Sequence, residues 1–184
     1  MKLHDAITGR LRDFVEAQPM FFVATAPAGP GGHVNVSPKG MGGTFVVLDE
    51  HRVAYLDYHG SGAETTAHLA ENGRITIMFC AFQGPPNIVR LHGTGRVVPR
   101  TDDAFPAKLA LFPDAPDTHG ARAVVEIDVH RVSDSCGYSV PLMAYEGDRD
   151  TLLRWSGRRT DDDLAAYRAK KNTTSIDGLP AFRG

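Results

Sequence analysis

The 184-residue chain has only two cysteines, Cys80 and Cys136, and a single tryptophan. Two cysteines are too few for a disulfide scaffold. The longest apolar runs are about five residues, far short of the roughly 20 that a transmembrane helix needs. The amino-terminal segment mixes acidic and basic residues and lacks the apolar stretch of a secretory signal. We therefore expect a cytoplasmic protein that has no membrane partner.

The chain also lacks an excess of charge of either sign, because 20 Lys and Arg residues face 22 Asp and Glu residues. A formal net charge of −2 disfavours binding to nucleic acid or to anionic lipid. Hydrophobic residues make up 42% of the chain and charged residues 23%, which is typical of a globular protein and excludes a disordered chain or a coiled coil. The length predicts one domain over residues 1–184.

Motifs for metal ligation and for nucleophilic catalysis are absent as well. The eight histidines are scattered, without HxxxH, HExxH or CxxC spacing, so we predict no metal site. No GxSxG motif occurs, and Cys80 lies in an apolar segment that is typical of a buried, inert thiol. The sequence therefore identifies no catalytic residue.

Short segments rich in Val, Phe, Tyr and Thr alternate with turn residues, which is typical of strands. The first four fall within about 40 residues, too close for parallel crossovers, so we predict antiparallel pairing. The fold class is therefore mainly β, a six- to seven-stranded antiparallel barrel with peripheral helices. The predicted strands are residues 20–26, 34–37, 44–48, 52–58, 74–82, 88–98 and 121–132.

Helical periodicity predicts a helix over residues 3–17 and others nearer the carboxyl terminus. Residues 61–72 are predicted to form a helix that Ser61 and Glu64 open with a capping box and Asn72-Gly73 closes. A second capping box, Thr160 with Asp163, is predicted to open a helix over 161–171. Shorter helices are predicted at 105–111 and 148–155. The last stretch, from Asn172, has no periodicity and is either a free tail or one that docks on another surface.

Two segments carry the signals of a phosphate site. In the first, a predicted strand runs into a glycine-rich turn that holds Ser37 and Lys39. In the second, Gly60-Ser61-Gly62 leads into a helix whose first turns carry Thr65 and Thr66. Glycines allow close backbone approach, and a helix amino terminus offers free N–H groups to an anion.

A purely structural interpretation of these segments stays open. Ser61 could do no more than cap its helix, and Lys39 could be a solvated turn lysine. Glu64 would also bring negative charge to the same helix start. The phosphate interpretation is consistent with that charge only if Glu64 folds back onto the Ser61 N–H, as a capping box requires.

The order of segments resembles the pyridoxamine 5′-phosphate oxidase-like family, the FMN-binding split β-barrel, over roughly residues 5–132. A leading helix, FFVATA, GHVNVSPKG, VAYLDYHGSGAETTAHLAENGRITIMF and IVRLHGTGRVV carry the resemblance. The remainder, from DSCGYSVPLMAYEG to KNTTSIDGLP, resembles a bacterial subgroup related to these oxidases. The resemblance implies a homodimer with FMN in grooves between subunits, a flavin-binding core at 1–132 and a helical extension at 133–184.

The resemblance also implies a function, that of an FMN-dependent oxidoreductase acting on an unidentified small molecule. Where the true oxidases place an Arg-Lys pair on the FMN phosphate, this chain has Glu64 and Thr65. Their substrate-binding Arg and His pattern is not found after Val132, so pyridoxamine-phosphate oxidation is not expected. The cofactor-contacting residues that we predict are Val36, Ser37, Lys39, Ser61, Thr65 and Thr66.

Several alternatives remain open at the level of sequence. The protein could bind flavin without turnover, as a sensor. Relatives of this barrel bind the deazaflavin coenzyme or haem, and His92 or His130 would then be nominated as the haem ligand. Tyr58 and Trp155 either stack on the cofactor or close its pocket, or they are core or interface aromatics.

Overall fold

The computed structural model describes residues 1–182, which contain eight strands and five helices. The strands are β1 (Lys2–His4), β2 (Met20–Thr25), β3 (Asn35–Gly40), β4 (Phe45–Asp49), β5 (Arg52–Tyr58), β6 (Arg74–Cys80), β7 (Ile88–Pro99) and β8 (Ala121–Ser135). The helices are α1 (Gly9–Glu16), α2 (Glu64–Asn72), α3 (Phe105–Leu109), α4 (Thr151–Ser156) and α5 (Asp161–Lys171).

All strand pairs are antiparallel, and the sheet follows the order β3-β2-β6-β7-β8-β5-β4, with β1 added to β8. Within residues 1–182, β3 and β4 do not pair with each other, so the seven-stranded path curls into a half-barrel that stays open between them. The prediction of a mainly β antiparallel split barrel is therefore confirmed. The additional strand, β1, was not predicted.

The core fills the concave side of this half-barrel. In β8 the side chains of Val125, Ile127 and Val129 are buried while Glu126 and Asp128 turn away, which is the alternation expected of a strand with one solvated face. Four rings pack with centroids 5.0–5.7 Å apart and close the middle of the barrel: Phe21, Phe45, Tyr55 and Phe79.

Two of the boundaries that differ from the prediction have a clear physical cause. The helix predicted from residue 3 begins only at Gly9, because residues 2–4 pair with β8, where Leu3 lies opposite Ser133. Pairing to a long neighbouring strand thus overrides a local helical period. At β3 the strand continues through Pro38 and Lys39, where a turn was predicted. Proline is tolerated there because β3 is an edge strand of the described sheet.

The two predicted capping boxes have different outcomes. At α5, Asp163 N–H donates to Thr160 Oγ1 and Thr160 N–H donates to Asp163 Oδ2, so that capping box is confirmed. At α2 the prediction is wrong, because the N-cap residue is Ala63 and makes no side-chain cap. Glu64 instead accepts the backbone N–H of Ile176 at 3.2 Å. The tail of the chain therefore takes the place that Ser61 was expected to fill.

The carboxyl-terminal extension folds back onto its own barrel. Asn172 Nδ2 donates to the Gly60 carbonyl at 2.8 Å, and the Asp177 carboxylate accepts the backbone N–H of His33 at 2.8 Å. Residues 143–149, α4 and α5 lie beside β3 and the end of β5. Among residues 1–182, no helix combines the length and the apolar character that crossing a membrane requires.

Candidate functional site

A groove of about 940 Å³ lies between the barrel and the carboxyl-terminal extension. Its barrel wall is formed by β3, by the end of β5 and by the start of α2. The opposite wall is formed by residues 143–155 and Tyr167. This volume lies within the roughly 300–1,000 Å³ of small-molecule sites, so the groove has room for a cofactor-sized ligand.

Three of the six predicted site residues, Ser37, Lys39 and Thr65, line this groove. They come together because Ser37 and Lys39 project from one face of β3, and Thr65 lies at the second position of α2. The other three are not among the lining residues: Val36 projects from the opposite face of β3 and is 59% exposed, Ser61 is exposed, and Thr66 is buried.

Lys39 does not stand alone in the groove wall, because it shares one carboxylate with an arginine. Lys39 Nζ and Arg122 Nε each lie 2.7 Å from a different oxygen of Asp57. Asp57 and Arg122 are both buried, and Arg122 Nη1 also donates to the Gly60 carbonyl at 3.1 Å. Two cations and one carboxylate leave one net positive charge at the wall.

The protonation of Asp57 follows from this arrangement. Burial by itself raises the pKa of the Asp57 carboxyl, but the adjacent Arg122 and Lys39 outweigh it and lower that pKa to about 2. The carboxylate is therefore ionised at neutral pH. Sequence reasoning missed both Asp57 and Arg122. An acidic residue inside a strand as apolar as VAYLDY was the one available signal.

A chain of hydrogen bonds joins the groove to the core beneath it. Asn35 Nδ2 lies 3.1 Å from Thr65 Oγ1 and 3.3 Å from Thr25 Oγ1. Asn35 Oδ1 accepts the Ser37 hydroxyl at 3.0 Å. At the buried end, Thr25 Oγ1 lies 2.9 Å from Nδ1 of His68, a side chain with no solvent exposure. Two of the predicted hydroxyls are thus oriented by Asn35, which sequence reasoning did not single out.

Glu64 lines the groove at the first position of α2. A Cβ placed on Gly62 would lie 2.7 Å from Glu64 Oε2, so the carboxylate covers the glycine before the helix. Glu64 accepts the Ile176 N–H, and as the first residue of α2 it carries its charge beside the helix amino terminus. It therefore opposes an anion at this position, while the N–H groups of the first turn attract one.

The extension contributes an aromatic wall. The Trp155 and Tyr167 rings meet edge to face with centroids 5.0 Å apart, and His59 lies 6.4 Å from each. Trp155 and Tyr58 both line the groove, the position expected of residues that close a pocket. Tyr58 donates its hydroxyl to the Asp117 carbonyl at 2.6 Å, which fixes its ring.

His59 has both ring nitrogens engaged. Arg168 can only donate, so Nε2 of His59 accepts its Nη1–H at 2.9 Å, and Nδ1–H donates to the Gly120 carbonyl at 2.8 Å. Burial, reinforced by the Arg168 charge and only partly offset by the Gly120 hydrogen bond, lowers the pKa of His59 to about 4. The imidazole is therefore neutral at neutral pH and links α5 to the barrel.

The two histidines nominated as haem ligands lie elsewhere. His92 is on β7, with Nδ1 3.1 Å from Thr76 Oγ1, and His130 is an exposed residue of β8. Neither lines the groove. Within the described part of the chain, His, Cys, Asp and Glu side chains form no group of three that could hold a metal ion.

Comparison with known proteins gives concordant findings. Residues 7–136 match the family model described as pyridoxamine 5′-phosphate oxidase. The pyridoxamine 5′-phosphate oxidase family protein ustO of Aspergillus flavus is 38% identical over an alignment of 195 positions. The alignment covers 97% of this chain and 77% of that protein. The crystal structure of HupZ from Group A Streptococcus aligns with a TM-score of 0.55 at 22% identity, covering 75% of this chain and 99% of HupZ. The HupZ alignment shows a shared fold.

Proposed function

Because the chain belongs to the pyridoxamine 5′-phosphate oxidase family, we propose that it is an FMN-dependent oxidoreductase that acts on an unidentified small molecule. One observation carries the proposal: a groove of about 940 Å³ brings Lys39, Thr65 and the amino terminus of α2 to the same wall. FMN bound there would supply the capacity for hydride or electron transfer, and the protein would bind, orient and shield it.

The groove residues fit a cofactor with one anionic end and one planar end. Thr65, the free N–H groups of the first turn of α2, and Lys39 suit the phosphate, while Ser37 suits a polar edge of the ring. Trp155 and Tyr58 shield the ring from water. Contacts from Val36, Ser61 and Thr66 to a flavin stay a prediction, and they would require a surface outside this groove.

We also propose that the protein is a homodimer. Within residues 1–182, β3 and β4 are the edge strands at the two ends of the seven-stranded path, and exposed apolar side chains lie at Val36 on β3 and at Val34 (70% exposed) just before it. Burying such a surface against a second copy would protect an edge that otherwise invites aggregation. Sedimentation equilibrium tests this, and a mass near the 19.9 kDa of one chain would contradict it.

The groove favours a substrate other than pyridoxamine phosphate. On its extension side, Arg149 is the one cation among the lining residues that the structure describes, and it is exposed between Asp148 and Asp150. Apolar and aromatic side chains such as Met143 and Trp155 dominate that wall. A phosphorylated substrate would therefore lack a buried cationic partner there, and burying an unpaired anion is costly.

The same observations separate the alternative cofactors. Haem would need an axial ligand, yet both ring nitrogens of His59, the histidine among the groove-lining residues that the structure describes, are occupied. The deazaflavin coenzyme carries a longer anionic tail, while the triad of Lys39, Asp57 and Arg122 offers one net positive charge. FMN, with its single phosphate, matches that charge better.

Visible absorption spectroscopy of the purified protein, before and after addition of FMN and removal of the excess, tests the cofactor. We expect a two-band flavin spectrum that stays with the protein. Lys39→Met should weaken FMN binding at least several-fold, since it removes a charge-assisted contact. Lys108→Met is the matched control, because Lys108 makes an equally short 2.7 Å ion pair, with Glu126, outside the groove.

Two results would contradict the proposal. A protein that stays colourless with excess FMN would contradict flavin binding, and equal FMN affinity for Lys39→Met and Lys108→Met would remove Lys39 from the site. Turnover is tested separately, by adding a reduced nicotinamide to the flavin-loaded protein and then oxygen. Bleaching followed by recovery supports an oxidoreductase, whereas an unchanged spectrum would favour a passive flavin binder.

A further inference from the structure

Asn35 lies between two hydroxyls of the groove and determines which of them carries an available proton. Its side-chain amide has two N–H donors and one carbonyl acceptor. The two donors are directed at Thr65 Oγ1 and Thr25 Oγ1, and the acceptor is used by the Ser37 hydroxyl. All three polar functions of the amide are therefore engaged within the chain.

The directions of these bonds leave the two groove hydroxyls with opposite capacities. Thr65 Oγ1 accepts from Asn35, and its own proton has no acceptor among residues 1–182, so Thr65 can donate into the groove. Ser37 donates its only hydroxyl proton to Asn35 Oδ1, so toward the groove its oxygen can only accept a hydrogen bond. A hydroxyl carries one proton, which makes the two assignments exclusive.

We propose that Asn35 is a positioning residue that makes Thr65 a hydrogen-bond donor to the phosphate of FMN and Ser37 an acceptor for an N–H of the flavin ring. This inference rests on the proposed function. It goes beyond that function by naming Asn35 as the residue that makes one hydroxyl a donor and the other an acceptor. Thr65 lies in the first turn of α2, where the helix attracts an anion, and Ser37 lies two residues before Lys39 on β3.

The network behind Asn35 holds the amide in place. Thr25 Oγ1 bonds Nδ1 of His68, which is completely buried, so the far end of the chain of hydrogen bonds is sealed in the core. Reversing the amide would place its two N–H donors on Ser37 and its carbonyl toward Thr25 and Thr65. The roles of the two groove hydroxyls would then exchange, which makes the proposal directly testable.

Riboflavin and FMN differ only in the phosphate, so the ratio of their affinities reports on the anionic end alone. We would titrate flavin-stripped full-length protein with each and follow flavin fluorescence. Thr65→Val should weaken FMN binding about tenfold, the cost of losing a hydrogen bond to a charged group, and leave riboflavin within about twofold. Ser37→Ala should weaken both ligands equally. Thr76→Val is the matched control, because the Thr76 hydroxyl contacts His92 outside the groove, and it should leave the ratio of the two affinities unchanged.

Asn35→Asp tests the positioning role itself. A carboxylate accepts from both hydroxyls, so the Thr65 proton would turn away from the groove. The ratio of FMN affinity to riboflavin affinity should fall at least tenfold. Adding Thr65→Val to Asn35→Asp should change this ratio further by less than about twofold. Because the new carboxylate also repels the phosphate directly, the double variant decides: a purely structural role would leave the two changes additive.

The outcomes separate the inference from the function on which it rests. If wild-type protein binds FMN and Ser37→Ala, rather than Thr65→Val, lowers the FMN-to-riboflavin ratio, the amide is reversed and the inference is overturned. If neither variant moves the ratio, Asn35 does not assign these roles and the inference again fails while the flavin site stands. If the wild type binds neither ligand, both the inference and the proposed function fail.

Discussion

Asp57 is the residue whose replacement tests the groove wall most directly. In Asp57→Asn, Lys39 and Arg122 lose the carboxylate that each contacts at 2.7 Å, and Arg122 stays buried without a counter-charge. Removing one partner of a buried ion pair costs about 3–5 kcal/mol. For a chain of this size, roughly 2–4 °C of Tm is lost per kcal/mol, so we expect a fall of about 10 °C.

The pH dependence of folding stability provides a second test of Asp57. The Asp57 pKa lies at about 2 in the fold, against an ordinary value of 3.8. The ionised carboxylate therefore contributes about 2 kcal/mol to the free energy of unfolding above about pH 4, and this contribution is lost as the pH falls through about 2. Asp57→Asn should lack this acid-dependent contribution, because an amide does not titrate in that range.

Urea unfolding monitored by the single tryptophan, together with thermal melting, measures both effects. Asp49→Asn is the matched control, because Asp49 pairs with Arg52 at 2.6 Å on the surface, where ion pairs contribute little to stability. If Asp57→Asn destabilises the protein no more than Asp49→Asn does, the buried triad does not stabilise the groove wall and our reasoning is wrong.

Two further predictions concern Glu64 and His59. Glu64→Gln keeps an acceptor for the Ile176 N–H but removes the negative charge at the start of α2. FMN should therefore bind several-fold more tightly, while riboflavin affinity is unaffected. Glu71→Gln, at the other end of that helix, is the control in the same fluorescence titration. His59 is neutral in the fold with a pKa of about 4, against an ordinary 6.5, so the unfolded chain alone binds this proton as the pH falls from 6.5. The free energy of unfolding, measured with urea, should therefore fall by about 2 kcal/mol between neutral pH and about pH 4.5, and His59→Gln should lack this fall. If the wild type and His59→Gln lose the same amount, Arg168 does not hold a neutral imidazole.

The strands were predicted well because their signals are local. Residues 52–58 form β5 as predicted, and in β8 every second side chain from Val125 to Val129 is buried. A period of two, broken by glycine and proline turns, depends only on adjacent residues. The local signal failed where a distant strand supplied a competing partner, as at Lys2–His4, whose backbone pairs with β8.

The site was predicted only in part, for the same physical reason. Ser37, Lys39 and Thr65 carry visible signals, because a glycine-rich turn and a helix start stand beside them. Glu64 also has a local signal, an S-x-x-E spacing, but it proved misleading. The Ile176 N–H lies more than a hundred residues away in sequence, and its proximity to Glu64 follows from the docking of the tail.

Periodicity, turn residues and segment order can all be read along the chain, so the sequence was enough to predict a mainly β antiparallel barrel and to indicate the family that it resembles. Which side chains share the groove depends instead on the tertiary fold. Asp57 is 18 residues from Lys39 and 65 from Arg122, and nothing local links them. The curl of the sheet brings β3 close to β5 and β8, and there one buried carboxylate pairs with two cations, which leaves one net positive charge.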